Sequence, residues 1–145
     1  MIDGMLDSGA IPVLQRLVQF TGARHKVLTH NISNLSTPYF KPRDLDPNAF
    51  QEELGEAIDR RRRTANPQMG DLDMDDTRQV HFSRDGSIHV KPEPIHENIL
   101  YHDQNNRDLE RTMQRLAENT LTHQAGIELL KNEFDLLRIA IRERF

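Results

Sequence analysis

Apolar side chains recur in steps of three and four near both ends of the chain. Toward the N-terminus, Leu14, Val18, Thr21, His25, Leu28, Ile32 and Leu35 hold that spacing over about three heptads, the mark of a helix burying one stripe against a partner. It predicts a helix from about residue 11 to 35, with Pro12 in the first turn, where the missing N–H is not needed. The second seam is longer: Leu109, Met113, Leu116, Thr120, His123, Ile127, Leu130, Phe134, Leu137 and Ile141. No proline interrupts residues 106–144. A helix of ~37 residues there would run ~55 Å at 1.5 Å per residue, longer than a small domain is wide. The expected molecule is therefore elongated.

The second helix is also apolar beside its seam, at Leu121, Ala125, Leu129, Leu136, Ile139 and Ala140. One partner helix covers a narrow stripe, and a broader stripe needs more neighbours. Either the middle of the chain folds back over the remainder or other subunits cover it.

Between the seams the pattern changes. Asp46-Pro47 reads as a helix cap followed by proline at the first helical position. Phe50, Leu54, Ala57 and Ile58 then give a short amphipathic face, with Glu52 and Glu53 early and Arg60 to Arg63 late, as the helix dipole favours. Residues 64–79, "TANPQMGDLDMDDTRQ", show no periodicity and predict a mobile loop. "VHFSRDGSIHV" alternates on both sides of Asp85-Gly86 and predicts a β-hairpin. "KPEPIHENI" leads back to the long helix in extended form. The expected fold is mainly α: an elongated antiparallel pair of long terminal helices, 11–35 and 106–143, with a small middle segment, 36–105, holding a short helix, a mobile loop and a hairpin.

Composition narrows the function. Only 36% of residues are hydrophobic and there is no Trp, so any core rests on Leu, Ile, Val and Met. The net charge of −4 gives no general attraction to nucleic acid or anionic lipid. The acidity sits in the middle segment, which carries −5 against +1 before it and 0 after it. With no Cys, disulfides, thiolate zinc sites and cysteine nucleophiles are excluded. The N-terminus "MIDGMLDSGAIPVL" lacks a basic region with a long apolar core and does not read as a cleaved secretory signal.

Candidate chemistry is thin. The histidines His25, His30, His81, His89, His96, His102 and His123 form no HExxH or other tight ligand pair. His81 and His89 face each other only across the predicted hairpin. "DLDMDD" begins like a calcium loop, but Asp76 stands where Gly is required and Phe82 where Glu is required. A solvated acidic loop is the better reading. "DRRRRT" is one basic turn without aromatic interleaving, and a complement to the helix dipole accounts for it. Ser33 and Ser36 near His30 lack a nucleophile elbow, and no Gly-rich phosphate loop is present. The residues offer no enzyme, no cofactor and no small-molecule substrate.

The stretch "HNISNLSTPYFKPRDLD" ends the first helix in a dense polar signature. It resembles the N-terminal motif of the bacterial flagellar basal-body rod protein family, roughly N-I-A-N-x-x-T-P-G-Y-x-x-R-D, at Asn31, Ile32, Asn34, Thr37, Pro38, Arg43 and Asp44. The closing "DLERTMQRLAENTLTHQAGIELLKNEFDLLRIAI" resembles the same family's final helix. The short length and "NILYHDQNN" are most similar to the proximal rod members, not the longer distal rod or hook proteins. The family's glycine after Thr-Pro is absent, and Tyr39 follows Pro38 directly, so the turn has lost or moved a position suited to positive φ. The resemblance implies a structural subunit, exported unfolded by the flagellar type III apparatus and placed in the periplasm-spanning rod of the basal body. Its implied partners are copies of itself, other rod subunits and the adjoining membrane-ring proteins. The alternative is a cytosolic coiled-coil adaptor or secretion chaperone using the same seams. A metal-dependent enzyme built on the histidines is the third reading.

Local chemistry suggests how the first helix stops. Asn34, Ser36 and Thr37 can bond nearby backbone groups and Pro38 blocks continuation. Asn31, one turn back, is placed to bond a neighbouring helix or water. The seams also suggest a register. If the two helices run antiparallel with Leu35 and Leu109 level, Thr21 meets His123, His25 meets Thr120, Leu14 meets Leu130 and Leu28 meets Leu116. The polar interruptions then form one layer, Thr21, His25, Thr120 and His123, of the kind that fixes register in coiled coils. The alternative is that these residues face a neighbouring subunit or water.

Overall fold

In the computed structural model, residues 9–66, 72–83, 85–95 and 109–142 are described. Helix α1 spans Ile11–Ser33 and carries Pro12 in its first turn. Strand β1 is Arg43–Asp44, helix α2 is Pro47–Arg62, strands β2 and β3 are Val80–Phe82 and Ile88–Val90, and β4 is Glu93–Pro94. Helix α3, Leu109–Arg142, has 34 residues and is ~51 Å long at 1.5 Å per residue. The protein is mainly helical, with long N- and C-terminal helices and a small middle segment. Residues 106–108 and 143 of the expected final helix lie outside the described residues, as do His96 and His102.

Helix α1 is the centre of the molecule, with the middle segment packed on one side and α3 on the other. The core belongs to the first of these contacts. Phe20 of α1 stacks on Phe50 of α2, ring centroids 4.0 Å apart. Leu45, Leu54, Ala57, Leu72, Met74 and Val80 complete the buried cluster. The Asp46 carboxylate caps α2 by accepting from the Asn48 N–H at 2.9 Å, which is the local reason that Asp-Pro starts a helix here.

Residues 67–71 of the expected mobile loop 64–79 lie outside the described residues; residues 72–76 are irregular with exposed aspartates, as expected, but they are anchored. Leu72 and Met74 are buried in the core, while Asp73, Asp75 and Asp76 point to solvent. That alternation packs a strand-like stretch without any partner strand. The Asp76 carboxylate accepts the Phe82 N–H at 2.8 Å. That bond, with the neighbouring His81, holds the Asp76 pKa below its ordinary value.

The hairpin pairs Val80 with Val90, His81 with His89 and Phe82 with Ile88. Gly86 takes φ 84° at its turn, a conformation glycine adopts at no steric cost. Arg16 and Gln19 of α1 both donate to the Gly86 carbonyl, at 2.8 and 2.9 Å, and Arg16 lies over the Phe82 ring. The hairpin tip is thereby fixed to α1. Strand β4 pairs antiparallel with β1, Arg43 opposite Pro94 and Asp44 opposite Glu93.

Candidate assembly interface

The polar signature after α1 builds a latch. The Asn34 side-chain amide donates to the His30 carbonyl at 2.9 Å and satisfies a helix-end acceptor. The Thr37 N–H reaches the Asn34 carbonyl at 2.9 Å, and the Phe40 N–H reaches Thr37 at 3.3 Å. These bonds turn the chain back toward α1 without a glycine cap; Pro38 and Thr37 sit exposed on the turn.

Asn31 is buried and points at the returning chain, not at a neighbouring helix or water. Its amide nitrogen donates to the Arg43 carbonyl, and its oxygen accepts the Arg43 N–H at 3.1 Å. The side chain thus mimics a partner strand for one residue. One position on, Asp44 takes both donors of Arg24 from the preceding helix, at 2.8 and 2.7 Å. Both side chains are largely buried, 9% and 14% exposed. A bidentate pair of this kind is strong and directional. Asn31, Arg43 and Asp44 of the motif therefore hold β1 against α1, and Arg24 is the fourth member. Sequence reasoning missed Arg24 because it lies outside the motif and in a helix where a lone Arg reads as solvated.

Tyr39 supplies the positive φ. It stands at φ 59°, the one non-glycine residue with positive φ among the described residues. The left-handed region costs an L-residue roughly 1–2 kcal/mol. Tyr39→Gly is therefore expected to raise stability by about 1 kcal/mol, read as a rise in thermal unfolding midpoint. An unchanged or lower midpoint would mean the tyrosine ring repays its own strain.

The two long helices meet in one register. Thr21 Oγ1 lies 2.8 Å from His123 Nδ1. The buried Asn119 amide donates to the Thr21 carbonyl at 2.9 Å. The hydroxyl of Thr21 also reaches its own helix at the Leu17 carbonyl, 2.8 Å away. The Thr21 hydroxyl thus bridges its own helix and the His123 ring, and the histidine tautomer sets which of the two partners donates. His25 is exposed, and the Thr120 hydroxyl turns to the Leu116 carbonyl of its own helix at 2.7 Å. The structure thus brings together Thr21 and His123, with Asn119 in place of His25 and Thr120.

Gly126 lies within 3.2 Å of a Val18 methyl, measured from where a Cβ would stand. The helix backbones leave little room for a side chain here. A glycine inside a long helix costs stability relative to alanine unless something needs the space, and that was the available signal for it.

The seam residues divide by burial. Leu14 and Leu28 are buried; Val18, Ile32, Leu35, Leu116, Leu130, Phe134 and Leu137 are half-buried; Leu109, Met113, Ile127 and Ile141 are exposed. In α3 only Asn119 and Gly126 are buried. Its far side carries Leu121, Leu129, Leu136 and Ile139, with Leu121 68% and Leu136 61% exposed. No described helix is long and apolar enough to cross a membrane, and no three metal-ligating side chains gather among the described residues.

No family model matches the chain. It is 26% identical over 136 residues to the flagellar basal body rod protein FlgB of Bacillus subtilis, covering 94% of this chain and 95% of the relative. It is 28% identical over 121 residues to FlgB of Cereibacter sphaeroides, covering 82% and 83%. It is 25% identical over 138 residues to FlgB of Borrelia hermsii, covering 92% and 96%.

Proposed function

We propose, from the similarity to flagellar basal-body rod proteins over most of the chain, that this FlgB-like protein builds the proximal rod through its terminal helices. The observation that carries this reading is the far side of α3. Leu121, Leu129, Leu136 and Ile139 are all exposed, and α1 already occupies the opposite face. A helix left apolar on two sides is shaped for burial among several neighbours. Copies of the same chain and adjoining rod subunits are the neighbours a tube wall provides, with membrane-ring proteins around it. The absence of Cys fits passage of an unfolded chain through the flagellar type III apparatus.

The test is Leu121→Asp combined with Leu136→Asp. Neither side chain is in the chain's own core, so circular dichroism and thermal stability should stay close to wild type. Burying two carboxylates in a subunit interface costs several kcal/mol, so the variant should be exported but missing from purified basal bodies. Rods of full length built from this variant would rule out α3 as the assembly face. A cytosolic adaptor or secretion chaperone would instead leave wild-type chain in the cytoplasmic fraction and none in basal bodies.

A further inference from the structure

At the turn that ends α1 lies an open groove of about 620 Å³. Val27, Phe40 and Pro92 give it apolar walls, and Lys26, Lys41 and Arg43 line it with positive charge, beside the His30 ring. No acidic side chain among the described residues lines it. The strained Tyr39 stands at the same groove, 78% exposed. The turn uses a positive φ here, which a glycine would supply without strain; the exposed tyrosine ring at this position is a feature that the fold alone does not need.

A complementary surface lies on α2. Glu52, Glu56 and Asp59 are exposed and recur at helical spacing on one face. Asp75 extends the patch, because Arg60 reaches both Asp75 and Glu56, at 3.3 and 3.8 Å. Within this acidic face sits Gly55. It is exposed, and a Cβ built there would meet nothing within 4 Å. A mid-helix glycine lowers helix stability relative to alanine, and Gly55, unlike Gly126, has no contact among the described residues that requires it. Bare backbone flanked by carboxylates is a seat for an aromatic ring with cations beside it.

We propose that the groove of one copy receives the acidic α2 face of a second copy, with Tyr39 seated on Gly55 and Lys26 and Lys41 facing Glu52 and Glu56. The inference rests on the rod reading and names a contact between like subunits that is separate from the α3 face. The two surfaces differ, so the contact is heterologous. Repeated by a constant step it propagates along a helical array and does not close on a single pair. Because its charges are exposed, it weakens as salt rises.

The experiment uses full-length chain as the only subunit of its kind in flagellated cells, with recovery in purified basal bodies as the readout. Lys26→Glu with Lys41→Glu should lower recovery about tenfold, since like charges then face each other across the contact. Glu52→Lys with Glu56→Lys should do the same. All four changes together should restore it. Gly55→Leu should also lose recovery while the purified variant keeps or gains thermal stability, which separates blocked docking from failed folding. Wild-type chain absent from basal bodies would sink the rod reading itself. Wild-type chain present, with either charge pair harmless or the fourfold variant unrestored, would overturn the groove contact and leave the rod reading standing.

Discussion

Arg24→Ala is expected to cost about 3–5 kcal/mol of folding stability, the penalty for leaving one member of a buried ion pair alone. Asp44 accepts both guanidinium donors at 2.8 and 2.7 Å and is itself only 14% exposed. Without Arg24 its carboxylate must either remain unpaired in a poorly solvated position or take up a proton. The preceding residue of β1, Arg43, is held by Asn31, so loss of the pair leaves β1 fixed to α1 by that contact. Urea unfolding monitored by circular dichroism measures the effect. Replacing both partners, Arg24→Met with Asp44→Leu, should cost much less, because no buried charge is then orphaned. A single-variant loss below about 1 kcal/mol would show that water reaches Asp44 freely and that the latch rests on Asn31.

Gly126→Leu is expected to cost about 2–3 kcal/mol, at the upper end for overpacking a close contact. A Cβ alone would stand 3.2 Å from the Val18 methyl and 3.5 Å from Leu17 Cδ2, so a larger side chain must push α1 and α3 apart. Separation there also breaks the adjacent Thr21–His123 and Asn119–Thr21 contacts. Gly126→Ala is a useful intermediate. It gains up to about 1 kcal/mol of helix propensity and loses a similar amount to crowding, so its net change should be near zero. Thermal unfolding of the three proteins checks the order. Equal stability of the leucine variant would mean that the helices do not approach at this glycine.

Much of the architecture was legible because it depends on local period and local chemistry. The three-and-four spacing marks both long helices regardless of what they touch. Asp46-Pro47 marks the start of α2 because a carboxylate at a cap and a proline at the first helical position act within one turn. Asp85-Gly86 marks the hairpin because its backbone needs a glycine at positive φ. The meeting of Thr21 with His123 follows from laying two seams antiparallel with their turn-side ends level. Each of these rests on neighbours in sequence or on simple registration of two rods.

Tertiary structure decided the rest, for reasons that spacing does not carry. Leu72 and Met74 lie in a run of aspartates, and only the position of α2 and the hairpin turns that irregular run into part of the core. Asn31 bonds the backbone of Arg43, and Arg24 pairs with Asp44, because the chain reverses through Tyr39; a contact made across a turn leaves no periodic trace. His25 and Thr120 stand outside the polar layer because His25 faces solvent and Thr120 bonds its own helix, while Asn119 meets α1 in their place. The sequence by itself determined two long apolar helices and a polar stop between them. The packing of α1 between the middle segment and α3 decided which face remained uncovered, since a helix with one neighbour can bury only one stripe and α3 carries two.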